Sequence, residues 1–179
     1  MTDNDLFVLL RTCLLSEFEL TGASVPDVQK ISLQTSSDTP AVPTLYLHKT
    51  ADVRTGFPGV HEEMDKVDQV MRETLTQVMI ATLQITARVP GVDSNPGAIT
   101  AQDLLKQTAS TMQSRRFQAS LIASGVNFLR VGTIKSADVA DEYAGREVLP
   151  FFEFSLNYTD ISVIEIPFVA STGLRIERI

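Results

Sequence analysis

His48 and His61 are the only histidines of this sequence, the residue type most often used for general acid–base work, and that work needs one of them within hydrogen-bond reach of a partner. His48 stands beside Lys49 in an alternating segment, which fits a surface or packing role. His61-Glu62-Glu63 has the donor types of a metal or hydrolase cluster, but the second histidine four residues on that a zinc-protease helix requires is missing. Glu62, Glu63, Asp65 and Asp68 offer oxygens to Ca²⁺ without the alternating ligands and central turn glycine of an EF-hand loop, so they read as a solvated acidic stretch. Gly56-Phe-Pro-Gly59 has no Gly-Lys-Ser/Thr ending to cradle a phosphate, and no Gly-x-Ser-x-Gly elbow occurs. Cys13, the single cysteine, lies among Leu9, Leu10 and Leu14 as a small buried hydrophobe with no disulfide partner. The expectation is no catalytic residue, no cofactor, no metal site and no enzyme. A competing reading is a small cytoplasmic hydrolase or transferase, whose site would have to gather distant residues such as His48, His61 and Asp65.

Composition narrows the partners. The net charge is −7 over 179 residues, so the general phosphate attraction behind most nucleic-acid binding is absent, and Arg115-Arg116 is the one adjacent basic pair. At 44% hydrophobic and 21% charged residues the chain is an ordinary globular one, expected to form one domain over 1–179. The acidic start Met1-Thr-Asp-Asn-Asp5 and the short apolar run Leu6 to Leu10 predict neither an export signal nor a membrane span.

The positioning elements follow from periodicity. Leu6, Leu9, Leu10, Cys13, Leu14 and Phe18 recur at helical spacing behind the Thr2 cap with Asp5, and Gly22 ends the helix. Val28 to Leu33 is a short strand candidate before the turn cluster at 35–40, and Thr44 to Arg54 is a second strand, broken at Gly56, Pro58 and Gly59. Residues 60–71 suit a loop or a short helix. Glu73 to Arg88 alternates throughout, with Leu75, Met79, Ala81, Leu83, Ile85 and Ala87 on one side and a threonine-rich set on the other. A loop through Pro90-Gly91 and Asn95-Pro96-Gly97 precedes a second helix that starts at Thr100–Asp103 and continues through Phe117 and Leu121 to Gly125. Val126 to Ile134 is a strand, Lys135 to Tyr143 a polar linker, and Val148 to Pro167 a last long strand with Phe152, Phe154, Leu156 and Tyr158 on one face. The order predicts an α+β fold: a mainly antiparallel sheet covered on one face by two helices, with a projecting long β-hairpin at about 44–89.

Pro43-Thr-Leu-Tyr46, Arg72 to Ile85, the helix Asp103 to Met112, Gly125-Val-Asn-Phe-Leu-Arg-Val131 and Glu147 to Ile164 together resemble the neck or tail terminator (tail-completion) proteins of long-tailed bacteriophages. Where family members close the long strand with Tyr-Gly or Phe-Gly, this chain has Ala87-Arg88-Val89-Pro90-Gly91. The resemblance implies a structural virion protein at the phage neck. It would form a homo-oligomeric, hexameric ring that terminates the tail tube and joins it to the head-side connector or stopper, after assembly in the host cytoplasm; a monomeric tail-assembly adaptor is the alternative. Double-stranded DNA would pass through transiently without specific binding.

The subunit contact is expected on the threonine-rich face of the hairpin, at Thr74, Thr76, Val78, Ile80 and Thr82. That face is neither charged enough for a bare solvent edge nor apolar enough for a core.

Overall fold

The chain opens on α1 (Asp3–Leu20), whose capping box is formed: the Asp5 backbone N–H donates to Thr2 Oγ1 at 3.2 Å and the Thr2 N–H donates to Asp5 Oδ2 at 2.9 Å. These Thr2 hydrogen bonds hold the Asp5 carboxyl below its usual range. Leu6, Leu10, Cys13, Leu14 and Phe18 line the buried side, and Gly22, at φ 64°, turns the chain out of the helix. The computed structural model describes residues 1–22, 25–30, 40–65, 70–90, 99–141 and 145–167. Residues 31–33 of the strand read at Val28 to Leu33, the turn at 35–39, Asp68 and the loop at 91–98 lie outside the described residues.

Six strands form one sheet: β1 (Asp27–Lys30), β2 (Thr44–Asp65), β3 (Val70–Arg88), β4 (Val126–Val131), β5 (Lys135–Asp141) and β6 (Gly145–Pro167). Their order is β1-β2-β3-β6-β4, with β5 also on β6; β1 is parallel to β2 and every other pair is antiparallel. The fold is therefore α+β, as the element order implies.

Three details depart from the sequence reading. The second helix is two helices, α2 (Ala101–Met112) and α3 (Arg115–Ala123), because Ser114 Oγ accepts the Phe117 N–H at 3.1 Å and caps a new start. The segment read as loop or short helix is strand: β2 runs on to Asp65 and β3 begins at Val70. The supposed linker after Ile134 is β5, recruited by the otherwise free edge of β6.

β4 and β5 use the same edge of β6. Between Val131↔Phe154 and Lys135↔Phe151 the chain advances four residues against three, so residues 132–134 bulge. Gly132 donates its N–H to the Glu153 carbonyl at 2.6 Å, and a Cβ there would sit 2.9 Å from that oxygen, an approach only glycine permits.

The core lies between the three helices and one face of the sheet. Leu45, Leu47, Leu83, Ile85, Phe152, Phe154 and Leu156 meet Leu10, Leu14, Phe18, Leu105, Phe117 and Leu121, all buried. Each such side chain contributes about 1.5–3 kcal/mol relative to exposure. Where this layer ends, the same sheet face turns polar. Lys49 Nζ donates to Asp3 Oδ1 at 2.6 Å and Asp52 Oδ2 at 2.5 Å, stands 5.9 Å from the Tyr158 ring centre, and the Tyr158 hydroxyl donates to Asp52 at 3.3 Å. Burial alone would lower the Lys49 pKa, but the hydrogen bonds to Asp3 and Asp52 outweigh it and hold the ammonium charged above its usual range. This cluster fastens the start of α1 to the sheet.

Candidate assembly interface

Beyond the Lys49 cluster the sheet narrows. Among the described residues β1 pairs up to Leu47 of β2 and β4 up to Tyr158 of β6, so residues 51–65, 70–79 and 159–167 form a three-stranded arm. The long β6 belongs to it along the whole of β3, a strand more than the two-stranded hairpin reading supplies. The β2 side of this arm carries the Gly56-Phe-Pro-Gly59 segment as a bulge: β2 moves from Thr55 to Gly59 while β3 moves only from Val78 to Thr76. Gly56 takes φ 75°, and the Gln77 side-chain amide donates to the carbonyls of Thr55 at 2.8 Å and Gly56 at 3.4 Å, so the breakers loop out without ending the strand.

Nine of the sixteen exposed large hydrophobic residues among those described lie on this arm, including Phe57 at 100% exposure, Val53, Val78, Ile161 and Val163. A concentration of this kind on one element marks an interaction surface. Thr74, Thr76 and Val78 share one face of it, and Ile80 and Thr82 continue the row where the arm joins the body. Thr76 and Val78 are exposed, whereas Thr74, Ile80 and Thr82 are half-buried between their neighbours. Register adds residues that a reading of β3 alone misses: Val53 opposite Ile80 on one side, and Ile161 and Val163 opposite Thr76 and Thr74 on the other. The signal for Ile161 and Val163 was the β-branched set Ile161, Val163, Ile164 and Ile166, apolar on both faces.

The polar groups that could do chemistry are dispersed. His48 and His61 lie opposite Gln84 and Thr74 of β3, ten positions apart and so roughly 33 Å along the strand, too far to share a site. Among the described residues no three of His, Cys, Asp and Glu gather as metal ligands. An open groove of about 340 Å³ on the helix-free side is lined by Thr82, Arg130, Lys135, Glu153 and Ser155 among others, without a histidine. Burial raises the Cys13 thiol pKa, with Glu17 adding to the shift, which leaves it an inert packing group.

Residues 5–168 match the sequence profile of the E217 gateway protein gp29 family. The chain belongs to this phage head–tail gateway family. The match runs from Asp5 in the first turn of α1 past the last strand, so body and arm both lie within the gateway family's sequence. No curated protein matches the sequence. A gateway protein is a structural component of the phage particle, in line with the neck-protein resemblance. No helix among the described residues is long and apolar enough to cross a membrane.

Because His61 is exposed on the arm and His48 half-buried on the body, His48→Ala and His61→Ala should each change folding stability by no more than ~1 kcal/mol. Phage carrying either substitution should keep full infectivity; a folded, incorporated variant that loses infectivity would restore a catalytic reading.

Proposed function

We propose that this gateway-family chain builds an oligomeric ring at the phage neck, between the head-side connector or stopper and the tail tube, and terminates the tube there. Six copies is the number the neck-protein resemblance implies. The observation that carries the reading is the arm: among the described residues of a single copy its apolar side chains are exposed on both faces, and neighbouring chains in a ring would bury them. Thr74, Thr76, Val78, Ile80 and Thr82 are the proposed subunit contact, with Val53, Ile161 and Val163 extending it.

DNA passes through such a ring without being held. With a net charge of −7 per copy, repulsion between the ring and phosphate favours release over retention. The protein assembles in the host cytoplasm and stays in the virion.

A phage defective in this gene tests the reading: infected cells should accumulate filled heads and tail tubes that lack a terminated end and do not join to the heads, and purified protein added to the extract should restore joining. Joined, infectious particles from the defective phage would overturn it. Anisotropy titration with duplex DNA at physiological salt should give a dissociation constant above about 1 μM with no sequence preference. Submicromolar affinity would rule out passive passage.

A further inference from the structure

Charge is distributed unevenly between two regions of this molecule. The arm segments 51–65, 70–79 and 159–167 hold seven carboxylates against two arginines. From Leu104 to Ala137, by contrast, the sequence has five basic residues and no acidic one. Both regions contain a locally unfavourable placement. On the arm, Glu62 and Glu73 are directly paired across β2 and β3, where like charges repel, and neither makes an ion pair among the described residues. At the other site, Arg115 and Arg116 open α3, the positive end of the helix dipole, with no acid in the first turn. Arg116 reaches Glu17 at 3.9 Å; Arg115 is exposed and forms no ion pair among the described residues.

The surroundings of the two sites also correspond. Glu62 and Glu73 face the side of the arm that continues the helix-bearing face of the sheet, together with Val60, Met64 and Ile164, all three half or nearly half exposed. Seven residues after Arg115, on the same side of α3, Ile122 is 58% exposed. The opposite, threonine-rich face differs, since its Arg72 already meets Glu165 at 3.2 Å.

We propose that this helix-side face of the arm docks on α3 of a second copy, Glu62 and Glu73 receiving Arg115 while Val60 and Ile164 cover Ile122. The inference goes beyond the proposed threonine-face contact and rests on the same reading of a self-assembling ring. Each unfavourable placement is relieved by the other, which is how a sequence keeps local conflicts that assembly resolves. The two surfaces are different patches of one chain, so the contact is head-to-tail, the type that closes rings.

Charge reversal decides it, with self-association read by sedimentation velocity and folding by circular dichroism. Glu62→Arg with Glu73→Arg, and separately Arg115→Glu, should each weaken self-association about tenfold or more, and the chain carrying all three changes should recover most of it. The milder Glu62→Gln with Glu73→Gln, which keeps shape, should weaken assembly while raising the melting temperature of the dissociated chain. Reversed variants that assemble like the wild type overturn this contact and leave the ring reading standing. A wild-type chain that remains monomeric at its highest soluble concentration overturns both. Loss of duplex DNA binding by Arg115→Glu with self-association unchanged overturns the contact and assigns the surface to DNA.

Discussion

Phe154→Ala is expected to remove about 3–5 kcal/mol of folding stability, the range for truncating a fully buried phenylalanine. Phe154 is 1% exposed and lies between Phe128, stacked at 6.1 Å, and Phe152, tilted at 6.3 Å; Phe128 in turn meets Phe117 of α3 edge-on at 6.2 Å. The row ties the edge strand β4 and the helix above it to the central strand β6. Aromatic pairs add about 0.5–1.5 kcal/mol each beyond their area, so the substitution loses transfer energy, leaves a cavity and breaks two ring contacts. Against a total of about 5–15 kcal/mol for a domain this is roughly a fifth of the stability or more. Urea denaturation of wild type and variant gives the difference directly. A loss under ~1 kcal/mol would mean the aromatic row does not join helix layer to sheet.

That row was legible in advance because Phe152, Phe154, Leu156 and Tyr158 alternate, and alternation over a half-buried strand is a local signal. The same holds for the buried row of β3 from Met79 to Ala87 and for the Thr2–Asp5 cap. What stayed hidden depended on contacts distant in sequence. Gly56, Pro58 and Gly59 are strand breakers by type, yet pairing with β3 resumes at Gly59 and the Gln77 amide holds the bulge. Lys135–Asp141 has a linker's composition and becomes β5 because the edge of β6 lies beside it. Ser114 has the residue type of an N-cap, but the apolar spacing on either side allowed one continuous helix. For the candidate interface, the five β3 positions could be read from sequence. Val53, Ile161 and Val163 could not, since joining them to that face requires the register of β2 and β6 on β3.

Replacing Val78 and Ile80 together with lysine should abolish self-association while the helical circular-dichroism signal and most thermal stability remain. β3 is 19 residues long, about 60 Å of strand, and its half from Val70 to Met79 lies in the arm, away from the body that holds the core. Val78 is 43% exposed and Ile80 half-buried, so in the separate chain each lysine can run its stem along the sheet and place its ammonium in water. The proposed contact removes that escape. Between two copies each ammonium would be desolvated against threonines and β-branched side chains, with no carboxylate among Val53, Thr55, Asn157 and Thr159, the cross-strand neighbours of the two positions. An unpaired buried charge costs several kcal/mol, which lowers association on the order of a hundredfold or more. Lysine at the exposed Gln102 of the body serves as the control, because a general effect of added charge would weaken assembly there as well. Normal assembly of the double variant, or its unfolding, would remove the threonine-rich face as the subunit contact, and the arm's other face would then have to carry the association alone.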